Sequence, residues 1–225
     1  MKKNKLFFSM LSIVLIISLN CFNVNAYGYG AYLVGMSCAD GADRYKWITN
    51  TYNAVACLRC SQSTMGRYAT GEGLNEALVN SEVFIVHTHG SRTTVQCTSS
   101  DGTITRLTTN MIDNRPNNAY SHLKLAVFGT CNAGEGGQNS SNIVNSVHGR
   151  GADVVIGFRG KTWVSQINQY LTTFLNSIGE DRETYQKGMQ DGVYWAKFWN
   201  FGKAGGTDNP YTRGTITKTY RTAGE

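Results

Sequence analysis

Three short apolar runs constrain this chain more than any other feature. Residues 81–86 (SEVFIV), 123–129 (LKLAVFG) and 153–158 (DVVIGF) are nearly continuous in apolar character and do not alternate. That is the pattern of strands buried on both faces. The segments around them repeat apolar residues at spacings of three and four. Residues 40–56 carry Tyr45, Ile48, Tyr52 and Val55, and residues 70–80 carry Leu74, Ala77 and Leu78. Residues 140–149 carry Ile143, Val144 and Val147. Residues 164–178 carry Ile167, Tyr170, Leu171, Phe174 and Leu175, and residues 184–201 carry Tyr185, Met189, Val193, Ala196 and Phe198. Residues 31–36 add one more short buried strand after a Tyr/Gly-rich start. Helices alternating with buried strands predict a mostly parallel sheet with helices on both faces, an α/β three-layer sandwich. Residues 91–110 are polar and threonine-rich and read as a β-hairpin, with Asp101-Gly102 as its turn. The tail from Gly202 is polar and weakly strand-like, with residues 215–220 alternating.

The first residues read as a targeting segment outside the fold. Lys2, Lys3 and Lys5 precede an apolar run over residues 6–19, and Val24-Asn25-Ala26 offers a cut site. Cleavage is expected after Ala26, leaving residues 27–225 as a single domain that is secreted, cell-surface or periplasmic. Two alternatives stay open: a lipoprotein anchored at Cys21, or retention of the run as a membrane anchor. No later segment is apolar enough to cross a bilayer, so no membrane partner is expected once the leader is removed.

The net charge is +6, falling to near +3 when the three leader lysines leave. There is no dense basic cluster, so a solvated surface is expected and nucleic acid is not expected as a partner.

Removal of the leader leaves Cys38, Cys57, Cys60, Cys97 and Cys131, an odd number for an exported chain. At least one thiol is then free or paired between chains. Cys57-Leu58-Arg59-Cys60 reads as structural cysteines, in an ordinary disulfide with Cys38 and Cys97, or as reduced thiols. A zinc half-site completed by His87 and His89, or a redox pair, are the alternatives.

Cys131 is different, because it stands at the end of an apolar run (LAVFGTCNAGEGG) and not inside one. His89 ends the preceding buried run in the same way (VFIVHTHGS). In parallel sheets, functional groups gather beyond the carboxyl ends of the strands, so the two residues belong to one sheet edge. A cysteine and a histidine there meet the needs of thiol hydrolysis: a thiolate attacks a carbonyl and an imidazole moves the protons. Gly90 and Cys131 both stand at tight strand-to-loop transitions, where backbone N–H groups can meet an oxyanion. His87 lies on the same strand, and period-two alternation does not separate it from His89. The choice of His89 rests on the Gly90 that follows it and on its place further past the strand end.

Taken in this order, VFIVHTHGS with its His89-Gly90 pair, LAVFGTCNAG with its strand-terminal Cys131, and the following GADVVIGF resemble the caspase-like cysteine peptidases. That clan includes clostripain, gingipain, legumain, separase and the bacterial CHAT proteins; the CHAT- and clostripain-like bacterial members look most similar. The resemblance spans residues 74–192. It implies a caspase-like sandwich and peptide-bond cleavage with no metal and no cofactor, acting on a peptide or protein substrate. It makes His89 the general acid/base and Cys131 the nucleophile, with the N–H groups of Gly90 and Cys131 as the oxyanion hole. Clostripain-like relatives carry an acidic residue two positions before the cysteine, which selects basic P1 side chains. Here that position is Gly129, so a basic P1 preference is not implied.

Two other functions compete with endopeptidase activity: a caspase-like binding module with a degenerate dyad, and a thiol acyltransferase or thioesterase. His122 and His148 read as surface residues and Asn132 as turn chemistry. Trp163, Trp195 and Trp199 are candidates for a pocket lining, but the helical spacing of Trp195 and Trp199 favours the core.

Overall fold

The computed structural model describes residues 30–35, 44–60, 63–200, 202 and 205–220. The leader expected over residues 1–26 lies outside them, as does Cys38. Six strands form one sheet, and a two-stranded hairpin stands apart. The chain runs β1 (Gly30–Gly35), α1 (Arg44–Val55), β2 (Ser63–Gly66), α2 (Gly71–Val79), β3 (Ser81–His87) and the hairpin β4 (Thr94–Thr98) with β5 (Ile104–Thr108). It continues through α3 (Thr109–Asp113), β6 (Leu125–Gly129), α4 (Ile143–Gly149), β7 (Val154–Phe158), α5 (Val164–Gly179), α6 (Tyr185–Trp199) and β8 (Pro210–Arg213). The sheet order is β2-β1-β3-β6-β7-β8, parallel throughout except for β8, which pairs antiparallel with β7.

The α/β three-layer sandwich expected from the sequence is the architecture found. Side chains alternate along each strand and feed two cores. Ala31, Leu33, Val83, Ile85, Leu125, Val127, Val154 and Ile156 face α1, α5 and α6. Val34, Phe84, Val86, Ala126, Phe128 and Val155 face α2, α3, α4 and the hairpin. Every residue of β3, β6 and β7 is buried, as their continuous apolar sequence requires. The helix starts follow ordinary chemistry: the Thr70 hydroxyl accepts from the Gly73 N–H at 3.0 Å at the head of α2, and Thr184 caps α6 through the Lys187 N–H.

The structure differs from the sequence expectation in two strands. β2 is an edge strand of sequence STMG, too polar and too short to stand out. In the tail the strand is Pro210–Arg213, not residues 215–220; proline can start an edge strand because its missing N–H faces no partner there. Residues 215–220 instead fold back to the amino-terminal end of the sheet. Tyr220 is buried there, and its hydroxyl donates to Glu82 Oε1 at 2.8 Å. Glu82 is itself buried and paired with Lys124 at 2.9 Å. Among the described residues, no helix is long and apolar enough to cross a membrane.

Candidate active site

β3 and β6 are parallel neighbours in which His87 pairs with Gly129. The two chains therefore leave the sheet at the same level and on the same edge. Each continues through a buried threonine, Thr88 and Thr130, and each next residue is a sequence-predicted site residue, His89 and Cys131. Both are half-buried.

The turn after β3 is held by the hairpin. The Gln96 N–H donates to the His89 carbonyl at 2.9 Å and the Ser91 N–H to the Thr94 carbonyl at 2.8 Å, with Gly90 bridged to Val95. Gly90 lies directly against the residue that precedes Cys131. A Cβ at position 90 would stand 2.8 Å from both Cβ and Oγ1 of Thr130 and 2.9 Å from the Thr94 carbonyl oxygen. Only glycine lets the histidine turn approach the cysteine turn this closely.

The turn after β6 is held by β7. Asn132 adopts a left-handed conformation, φ 60°, and its N–H donates to the Gly160 carbonyl at 2.9 Å. The Gly134 N–H donates to the Phe158 carbonyl at 3.1 Å. Asn132 is thus a turn residue, consistent with its ability to occupy the left-handed region. The Cys131 Sγ makes long contacts to Thr162, 3.9 Å to its carbonyl oxygen and 3.8 Å to Oγ1. Thr162 went unnoticed in the sequence; it lies in the loop leaving β7, the third buried strand to end at this edge.

His87 and His89 are in different settings. His87 is buried within the strand, and its Cδ2 would be 3.6 Å from a Cβ placed on Gly129. The same Cβ would meet Ile167 Cγ1 at 3.0 Å. The position two before Cys131 is therefore packed by a methylene and an imidazole, with no carboxylate against it.

The remaining candidates separate from this edge. Cys57 and Cys60 are free thiols. Cys57 Sγ meets Asn176 Oδ1 at 3.7 Å, and Cys60 Sγ meets the Tyr220 hydroxyl at 3.6 Å beside Glu82. Glu82 stands near the start of β3, whereas His87 closes it, about 17 Å away along the strand. The zinc alternative joining these cysteines to His87 and His89 is therefore incompatible with the fold. Cys97 is buried in β4, where burial pushes its thiol up to about 11. His122 is exposed; His148 is half-buried, and its pKa is lowered by burial and by nearby Arg213. Trp195 and Trp199 are exposed and not core residues. Their spacing is helical, but the inward side of α6 is taken by Tyr185, Gly188, Met189, Gly192 and Ala196. Trp163, one residue beyond Thr162, is also exposed.

No protein-family model and no curated protein sequence matches the chain. Solved structures do share its fold. The Arg-specific cysteine proteinase gingipain R superposes with a TM-score of 0.66 at 11% identity, over 85% of this chain and 47% of that one. The Saccharomyces cerevisiae separase–securin complex matches with a TM-score of 0.53 at 10% identity, over 82% of this chain and 12% of that one. The chain thus spans less than half the length of either structure. The fold is the caspase-like sandwich that the sequence resemblance implies.

Proposed function

We propose that this chain is a cysteine endopeptidase, exported and comprising one peptidase domain over residues 27–225, in which Cys131 is the nucleophile and His89 the general acid and base. The observation that carries this reading is the paired exit of β3 and β6. The His87–Gly129 register brings the two turns out together, and Gly90 packs on Thr130. The order of histidine strand, cysteine strand and Gly-Ala-Asp strand supports a relation to the CHAT- and clostripain-like bacterial members of the caspase-like clan.

The chemistry follows from the groups. The His89 imidazole takes the thiol proton as Cys131 Sγ attacks the scissile carbonyl carbon. Negative charge moves to the carbonyl oxygen, where the N–H groups of Gly90 and Cys131 are the proposed donors. Collapse of the tetrahedral intermediate breaks the C–N bond, and the imidazolium protonates the departing amine. A water molecule, deprotonated by His89, then hydrolyses the thioester to release a carboxylic acid and restore the thiol. Every proton is held by the dyad or by water, so the cycle needs neither metal nor cofactor.

A peptide carrying a thiol-reactive carbonyl group tests this reading. The expected result is covalent labelling of Cys131 alone among the cysteines, located by mass spectrometry and lost in His89→Ala. Labelling spread evenly over the thiols, or none at Cys131, would contradict it.

A further inference from the structure

We propose that Arg92 and Arg159 form a carboxylate-binding site beside Cys131, taking a negatively charged group on the departing half of a peptide; the assignment to that half rests on the peptidase reading above. Both side chains reach one turn of the cysteine loop. A Cβ placed on Gly137 would stand 3.3 Å from Arg159 Nη2, and one placed on Gly136 would stand 3.9 Å from Arg92 Cδ. Gly136 and Gly137 have φ of 79° and 66°, a left-handed turn with no side chain between it and the arginines. Arg159 directly follows β7. The N–H of Asn132, next to Cys131, donates to the carbonyl of Gly160, next to Arg159, at 2.9 Å. Arg92 stands two residues after Gly90 on the histidine turn. Its carbonyl accepts from the Ile143 N–H at 2.9 Å, which ties that turn to the start of α4.

The neighbouring groups hold this pair in place. The Arg159 guanidinium lies over the Tyr211 ring, 4.8 Å from its centroid, and stacking of this kind keeps the planar fork available for a carboxylate. Its Nε is buried and has no hydrogen-bond partner among the described residues, so stacking and not an acceptor of the chain positions it. The Tyr211 hydroxyl donates to Asn145 Oδ1 at 2.8 Å, and Asn145 Nδ2 donates to the carbonyls of Gly137 and Ser140 at 2.8 and 2.7 Å. One asparagine thus fixes both the ring beneath the guanidinium and the glycine turn beside it. The charge is not cancelled within the chain. Among the described residues neither arginine has an ion-pair partner. Asp208 is taken by Lys197 at 3.6 Å, and Glu135 is exposed and paired with neither arginine. Two cations drawn to one turn repel each other; a carboxylate between them relieves this and accepts two hydrogen bonds from a guanidinium. The departing amine must meet His89, three residues before Arg92, so the departing half of the substrate runs toward the pair. Gly129 faces the other way. Its Cβ direction meets Ile167 in the core under α5, whereas Tyr211 belongs to the core under α4.

The test uses the full chain and probes that carry or lack the charge. A substrate drawn from a peptide library is remade with Glu or Gln at each of the three positions after the cut, and with its C-terminus free or amidated. A carboxylate is expected to raise kcat/KM about tenfold over its neutral counterpart, mainly through KM. Whether Glu or the free terminus gives the gain identifies its source, side chain or chain end. The gain should fall to near one in Arg159→Gln and to about threefold or less in Arg92→Gln, with unchanged circular dichroism spectra; should Arg159→Gln misfold, Arg92→Gln still decides. Indifference to both carboxylates, a gain that survives both substitutions, or one confined to positions before the cut would overturn the proposal. Binding separates it from the peptidase reading. Dansyl-labelled decapeptides of Gly, Ala and Ser, carrying one Glu or one Gln and a free or amidated terminus, are titrated onto Cys131→Ala and Cys131→Ala/Arg159→Gln. Tighter binding of a charged peptide that Arg159→Gln removes upholds the site even where the wild type cleaves nothing. Turnover with no carboxylate preference would remove the site and leave the peptidase reading standing.

Discussion

His87 and Gly129 are register partners across the parallel β3–β6 pair, and His89 and Cys131 stand two residues beyond each of them. One register pair therefore sets the level of both candidate catalytic residues. His87 remains inside the sheet with its ring against Gly129, whereas His89 emerges at the turn.

The two histidines should consequently respond differently to substitution. His89→Ala is expected to remove nearly all peptide turnover while leaving the melting temperature close to wild type. His87→Ala empties a buried position and should mainly lower stability, by about 1–3 kcal/mol. Turnover and thermal melts on the same preparations measure both; the reverse ranking in folded variants would exchange the assignments.

Gly90→Ala tests the contact between the turns. The added methyl meets Thr130, which is fully buried, and the Thr94 carbonyl oxygen, which is backbone. Neither can yield without shifting a turn, so a loss of about 1–3 kcal/mol is expected, together with reduced kcat. A variant as stable and active as wild type would show that the turns have room to spare.

Much of this arrangement was legible in the sequence because burial on both faces leaves a clear mark. β3, β6 and β7 stand out as unbroken apolar runs, and the residues that end them can be named. Register is not written in any single run, so the levelling of His87 with Gly129 needed the structure. β2 was hidden because an edge strand need not be apolar, and STMG carries no periodicity. Trp195 and Trp199 were misread for a related reason. Periodicity reports that a helix exists, but the buried side of α6 includes glycine and alanine, which contribute little to an apolar pattern, so the aromatic side looked like the core.

The P1 preference should not be basic. Gly129 offers no carboxylate, and Ile167 and His87 pack against that position. In a peptide library, arginine or lysine at P1 is expected to give no advantage in kcat/KM over neutral residues. A strong arginine preference would mean that an acidic group elsewhere reaches the pocket.

Cys97 has a pH signature unrelated to catalysis. Burial raises its thiol pKa from 9.0 to about 11, so the folded chain favours the neutral form. Its contribution to stability is complete below pH 9 and is lost as pH climbs through that window, because the unfolded chain ionises first. The loss amounts to about 3 kcal/mol. Denaturant melts between pH 8 and 11 should show a shallower decline for Cys97→Ala than for wild type; parallel curves would remove Cys97 as the cause.

Peptide turnover by Cys131→Ala tests the central claim most directly. With the wild-type and variant chains purified identically and shown to be equally folded, the variant is expected to lose activity by about 10⁴-fold or more, since removing a nucleophile disables the whole catalytic unit. Turnover by Cys131→Ala within a few-fold of wild type would contradict the assignment of Cys131 as the nucleophile.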